Sequence, residues 1–135
     1  MFKRIYVAID QSEFSKQALI AATKIAHAFQ ASLCLGHCIA DDTSSNQEVA
    51  QKFLESTKSQ IGGVGEIEVR ILVADAQYGL NGISSAIAQS ACDWQSDLLV
   101  VGTSNRKGLD RFFLGSVAEE LVSKIDFPIM LFKIS

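Results

Sequence analysis

Apolar and polar positions along this chain follow two alternating rhythms. Ile5-Tyr6-Val7-Ala8-Ile9 is apolar and rich in β-branched residues, as in a strand buried on both faces. It stops at Asp10-Gln11-Ser12, where Asp and Ser are both helix-cap residues. From Glu13 to Gln30 the apolar positions fall at Phe14, Ala18, Ala22, Ile25, Ala26 and Phe29, one stripe of an amphipathic helix. Ala31–Ile39 predicts a second strand, followed by a polar loop over Asp41–Asn46. Val49, Phe53, Leu54, Thr57 and Ile61 recur at helical spacing and predict a second helix over Gln47–Ile61. Gly62-Gly63-Val64-Gly65 is expected to stop it, because glycine adopts the left-handed cap conformation without steric cost.

The same alternation continues to the end of the chain. Glu66–Ala74 predicts a third strand, Asp75–Gly82 a loop, and Ile83–Trp94 a third helix with Ile83, Ala86, Ile87, Ser90 and Ala91 on one face. Leu98–Val101 predicts a fourth strand ending at Gly102, Val117–Ile125 a fourth helix, and Pro128–Ile134 a fifth strand. Strands that alternate with helices predict an α/β fold: a doubly wound, mostly parallel five-stranded sheet with helices on both faces, Rossmann-like. The expected strand order is 3-2-1-4-5, within a single domain over 1–135. Ligands of such sheets sit at the carboxyl ends of the strands where the winding reverses, here between the first and fourth strands. Asp10 and Gly102 end those two strands at the same edge.

Composition narrows the function classes. With 135 residues, 48% hydrophobic and 20% charged, the chain is expected to be compact and globular. Its apolar runs, such as Leu98–Val101 and Pro128–Phe132, are far too short to cross a bilayer, and Met1-Phe2-Lys3-Arg4 is not expected to begin a secretory signal, having no apolar core. Three cysteines without metal-type pairs fit a reducing compartment, so a cytoplasmic location is expected. A net charge of −3 argues against nucleic acid as a partner. One segment departs from that balance. Within 102–115, Arg106, Lys107 and Arg111 face only Asp110, three positive charges against one negative, a local +2.

That basic loop joins a strand end to Gly115-Ser116 and the start of a helix, a layout in which loop amides and the first helical turn can converge on an anion. It is not a Walker loop, since no Gly-Lys-Ser/Thr follows. Nor is it a dinucleotide fingerprint, since the first strand runs into Asp10-Gln11-Ser12. Several motifs together resemble the universal stress protein family: Val7-Ala8-Ile9-Asp10-x-Ser12, Gly36-His37-Cys38-Ile39, Asp97-Leu98-Leu99-Val100-Val101-Gly102-Thr103, Gly115-Ser116-Val117 and Pro128-Ile129-Met130-Leu131-Phe132-Lys133. The ATP-binding branch of that family carries glycine, two residues, glycine, nine residues, then glycine and serine or threonine. Here Gly102 and Gly115-Ser116 match, and Asn105 replaces the second glycine. Asparagine tolerates positive φ better than most residues, so the turn itself is compatible with the exchange.

The resemblance implies a regulatory protein of the stress response that binds ATP, ADP or AMP, with Mg2+ accompanying the phosphates. Ala8, Ile9 and Asp10 would line the adenosine, and Cys38 would offer its backbone to the adenine edge. Gly102, Thr103, Asn105, Gly115, Ser116 and Val117 would hold ribose and phosphates. It also implies a homodimer joined through the last strand, 128–134. That strand is apolar on both faces and lies at the sheet edge, where an uncovered strand invites pairing.

Plainer roles compete for the same residues. Asp10 serves equally well as a cap of the first helix, and Ser116 with Glu119 forms a Ser-x-x-Glu capping box. Arg106, Lys107 and Arg111 read as solvated loop charges, His37 as a packed histidine, and Cys34 and Cys38 as core thiols on one strand face. Cys92 has no base beside it, and Asp41-Asp42 reads as a cap rather than a metal centre. No residue is placed as a general base, so turnover, if any, is expected to be slow ATP hydrolysis. A nucleotide-free dimeric interaction module of the same fold is the alternative that Asn105 keeps open. A phosphoryl-receiver role would need an acidic cluster with a lysine, and only Asp10 is placed for it.

Overall fold

The computed structural model describes residues 1–39, 41–74, 80–104 and 120–134. In chain order these form β1 (Arg4–Ala8), α1 (Glu13–Phe29), β2 (Ser32–Ile39), α2 (Ser44–Ser59), β3 (Ile67–Val73), α3 (Leu80–Asp93), β4 (Leu98–Ser104) and β5 (Ile129–Ile134). Residues 120–124 are helical ahead of β5. The five strands lie in the order β3-β2-β1-β4-β5, and every pairing is parallel. This is the doubly wound order expected from the sequence.

Strand alternation divides the core in two. Ile5, Val7, Leu33, Leu35, Leu98 and Val100 face α1 and α2, where Ala18, Ala22, Ala26 and Leu54 are fully buried. Tyr6, Cys34 and Leu99 face the other way, onto Ile87, Ala88 and Ala91 of α3, onto Trp94 just after it, and onto Leu121 and Ile125. The alanines of α1 recur every four residues, so a smooth stripe lets this helix lie close to the sheet.

Four local expectations are corrected. β4 does not end at Gly102 but runs on through Ser104, because β5 continues beside it as far as Ser104↔Ile134. α2 begins at Ser44, capped by the Thr43 hydroxyl, which accepts from the Asn46 N–H at 3.1 Å. The glycines at 62–65 do not cap α2: Gln60 ends it in a right-handed conformation, and Gly63 takes its positive φ of 75° further along. The left-handed helix cap belongs instead to Gln30 after α1, at φ 52°. A bond from the Ala31 N–H to the Ala26 carbonyl closes that turn. Finally, α3 starts at Leu80 and includes Gly82, inside what the pattern reads as a loop.

At the amino edge of the sheet Asp97 ties β1 to β4, its carboxylate accepting from the Lys3 N–H at 2.7 Å and the Arg4 N–H at 3.0 Å. Arg4 donates from Nε to the Trp94 carbonyl at 2.8 Å and lays its guanidinium 4.0 Å from the centre of the Trp94 ring.

Candidate functional site

At the carboxyl edge the central strand is the shortest. β1 pairs with β2 and with β4 only as far as Ala8, opposite Gly36 and Val101. β2 continues through His37, Cys38 and Ile39 beside β3, and β4 continues through Gly102, Thr103 and Ser104 beside β5. At roughly 3.3 Å per residue each neighbour outlasts β1 by about 10 Å, and the two are separated by two strand spacings, again about 10 Å. The sheet therefore carries a notch where its winding reverses, the place at which doubly wound sheets bind ligands.

Ile9 and Asp10 form the floor. The Ile9 N–H makes a last rung to the Gly36 carbonyl at 2.8 Å. The Ile9 carbonyl accepts from His37 Nδ1 at 2.9 Å. A carbonyl carries no proton, so Nδ1 is the protonated nitrogen of this imidazole. The His37 ring is half-buried and stands edge-on to Phe53 of α2, 5.0 Å between centroids. Packing is thus part of its role, as expected for a core histidine. The bond to the end of β1 is the part that the sequence pattern does not show.

Asp10 is exposed, and its cap role is indirect. Ser12 is the N-cap of α1, its hydroxyl accepting from the Ser15 N–H at 3.3 Å. Asp10 braces that cap through Oδ1, which accepts from the Ser12 N–H at 2.7 Å and from the Ser12 hydroxyl. The Asp10 N–H donates to Ser15 Oγ at 2.8 Å. Both bonds to the carboxylate fall on Oδ1, which leaves Oδ2 without a hydrogen bond among the described residues. A carboxylate so held can accept hydroxyl hydrogen bonds at a strand end.

One wall of the notch presents backbone. Along a parallel strand the N–H and C=O of successive residues point alternately to the two neighbours. Ser32 donates to Lys3 and Gly36 accepts from Ile9, so even-numbered residues of β2 face β1. Ile39 accepts from Ala74, so the odd-numbered ones face β3. Cys38 is the first residue of β2 whose N–H and C=O face the space beyond the end of β1. Its thiol does something different. Burial pushes it up to about 11, and the Cys34 thiol up to about 12, so both stay protonated and unreactive at neutral pH.

Two glycines hold the layers together around the notch. A Cβ at Gly36 would stand 2.2 Å from Tyr6 Oη, which crosses β2 there to reach Ser90 Oγ at 2.6 Å. A Cβ at Gly102 would stand 2.5 Å from the Phe14 carbonyl oxygen and 3.2 Å from the Ala18 Cβ. Gly102 is therefore required by the approach of α1, a role independent of any phosphate. The sequence reading missed Gly36, Tyr6 and Ser90 as a unit, since nothing in a linear pattern relates positions 6, 36 and 90.

The structure thus brings Ala8, Ile9, Asp10, Cys38 and Gly102 to one edge, with Thr103 next in β4 opposite Lys133. Asn105, Gly115, Ser116 and Val117 lie outside the described residues, as do Arg106, Lys107, Arg111 and the capping partner Glu119. Among the described residues no three His, Cys, Asp or Glu side chains group to hold a metal, and no helix is long and apolar enough to cross a membrane.

Comparison with known proteins places the chain in a family. A putative universal stress protein from Staphylococcus haemolyticus is 30% identical, over 90% of this chain and 78% of its own. Among solved structures, a universal stress protein in complex with cAMP superposes with a TM-score of 0.70 at 19% identity, covering 99% of both chains. One from Archaeoglobus fulgidus in complex with dAMP gives 0.67 at 18% identity and 96% of each chain. The pattern of the universal stress protein family matches residues 1–133, so the chain belongs to that family.

Proposed function

We propose that the notch binds an adenine nucleotide, ATP or its less phosphorylated relatives, as a regulatory ligand in a stress response. The observation that carries this reading is the Cys38 backbone. Its N–H and C=O face the vacated end of β1 together, a donor beside an acceptor, which complements the N1 acceptor and N6 donor of adenine. Asp10 Oδ2 is available to a ribose hydroxyl on the same edge. Structural neighbours in complex with cAMP and dAMP support the ligand class. Gly102, Thr103, Asn105, Gly115, Ser116 and Val117 would hold ribose and phosphates.

Mg2+ would enter with the phosphates. It keeps several waters and needs only one or two protein oxygens, so the lack of a metal cluster among the described residues is compatible with it. We assign no general base, and the site is read as binding rather than turning over its ligand. Free Cys34, Cys38 and Cys92 support a reducing, cytoplasmic setting.

A nucleotide-free dimeric module is the second reading, kept open by Asn105 in the glycine motif, and the last strand would supply its interface. Among the described residues β5 pairs with β4 alone, and Leu131 on it is 41% exposed, so a second copy docking there would cover it. A homodimer through 128–134 fits either reading. Mass spectrometry of any small molecule released on denaturation, followed by calorimetric titration with ATP, separates the two. Release of an adenine nucleotide, or binding heat, supports the first reading; neither at millimolar ATP overturns it.

A further inference from the structure

We propose that His37 is a positioning residue that keeps the adenine-facing edge of the notch open by taking the acceptor that would otherwise close it. This deepens the nucleotide reading and rests on it for the ligand, though not for the hydrogen bonds. The ladder between β1 and β2 shows what is at stake. Ile9 faces β2, as its N–H bond to Gly36 shows. In a regular parallel ladder the next rung would run from the Cys38 N–H to the Ile9 carbonyl. That carbonyl is instead taken by His37 Nδ1 at 2.9 Å, and among the described residues the ladder has no rung from Cys38 to Ile9.

The side chain of one residue thus replaces the backbone donor of the next. The exchange satisfies the carbonyl at the end of β1, as a backbone acceptor away from water requires, while leaving the Cys38 N–H for a ligand. Phe53 packs edge-on against the imidazole, 5.0 Å between centroids, and braces it while it reaches Ile9. Other hydrogen-bonding side chains on the floor point elsewhere: Asp10, Ser12 and Ser15 bond among themselves.

The test reads the backbone first and the ligand second. In the unliganded wild-type protein the Cys38 amide exchanges with solvent as an unprotected group, and NMR detects no coupling across a bond to Ile9. In His37→Leu, which keeps apolar bulk against Phe53 but removes the donor, the rung forms and Cys38 protection rises at least about tenfold. In the same variant, affinity for AMP falls about tenfold while affinity for inorganic tripolyphosphate is unchanged, since only the base edge is lost. His37→Asn places an amide donor near the Nδ1 position and restores both readouts, which separates this role from simple packing. A Cys38 amide already protected in the wild type, or one unaffected by His37→Leu, overturns the proposal. If wild-type protein binds no adenine nucleotide, the functional reading falls, while the exchange data still decide the role of His37.

Discussion

Gly102 and Phe14 approach so closely that the carbonyl oxygen of one occupies the space a side chain would need on the other: a Cβ at 102 would stand 2.5 Å from it. The obstacle is backbone of the first turn of α1, which cannot rotate away. Gly102→Ala is expected to destabilise the fold by about 1–3 kcal/mol through overpacking. Gly62→Ala, with nothing within 4 Å of its Cβ, should stay within about 0.5 kcal/mol. Urea denaturation of the two variants makes the comparison, and equal midpoints would refute it.

Tyr6→Phe removes one hydroxyl from a buried cluster in which Ser90 Oγ also lies 3.4 Å from Arg70 Nη1. Because Arg70 remains as a partner, Ser90 is not orphaned, and the expected cost is about 1 kcal/mol. Burial raises the Tyr6 phenol above the ordinary tyrosine range, so its absorbance should not titrate with that of free tyrosine as pH is raised.

The buried thiols predict how stability depends on alkali. Cys38 and Cys34 are raised from 9.0 to about 11 and about 12 by desolvation. The unfolded chain therefore loses these protons first. Stability is fully present below about pH 9, declines as pH rises above it, and the contribution is lost once pH passes the folded values. Unfolding midpoints measured from pH 8 to 11 should fall less steeply in Cys34→Ala. Alkylation should follow the same order, with exposed Cys92 modified before either core thiol.

Asp10→Asn separates bracing from ligand contact. Asparagine keeps a carbonyl oxygen for the Ser12 N–H, so the α1 cap survives and the melting temperature should shift by no more than a few degrees. The anionic Oδ2 is replaced, so nucleoside affinity should weaken several-fold. Ser12→Ala should behave in reverse, losing about 1 kcal/mol of stability through the cap itself. Calorimetry paired with thermal melts on both variants reads the two effects apart.

Much of this architecture is legible in the chain because burial leaves a periodic trace. Ile5–Ile9 and Leu98–Val101 read as strands for the reason that they are central, and the strand order follows from the alternation with helices. Where one strand outlasts another is not periodic. Gly102 looks like an end because glycine follows an apolar run, yet β5 carries β4 on to Ser104. Gln30 adopts the left-handed cap conformation although glycine is the residue that pattern favours, and its side-chain Nε2 donates back to the His27 carbonyl at 2.9 Å. The links that shape the notch, His37 to Ile9 and Gly102 to Phe14, join positions distant in sequence through the backbone of one partner, and backbone leaves no mark on a residue pattern.

The clamp at the amino edge has a practical consequence. Trp94 is the sole tryptophan of the chain, 5% exposed, stacked under Arg4 and 6.3 Å from the Tyr6 ring. It reports on the end of the sheet remote from the notch, across the five residues of β1, about 16 Å. A ligand bound in the notch should therefore leave the emission of the folded protein unchanged while raising the temperature at which that emission shifts. The chain carries its own optical thermometer, screened from the ligand it would be used to detect.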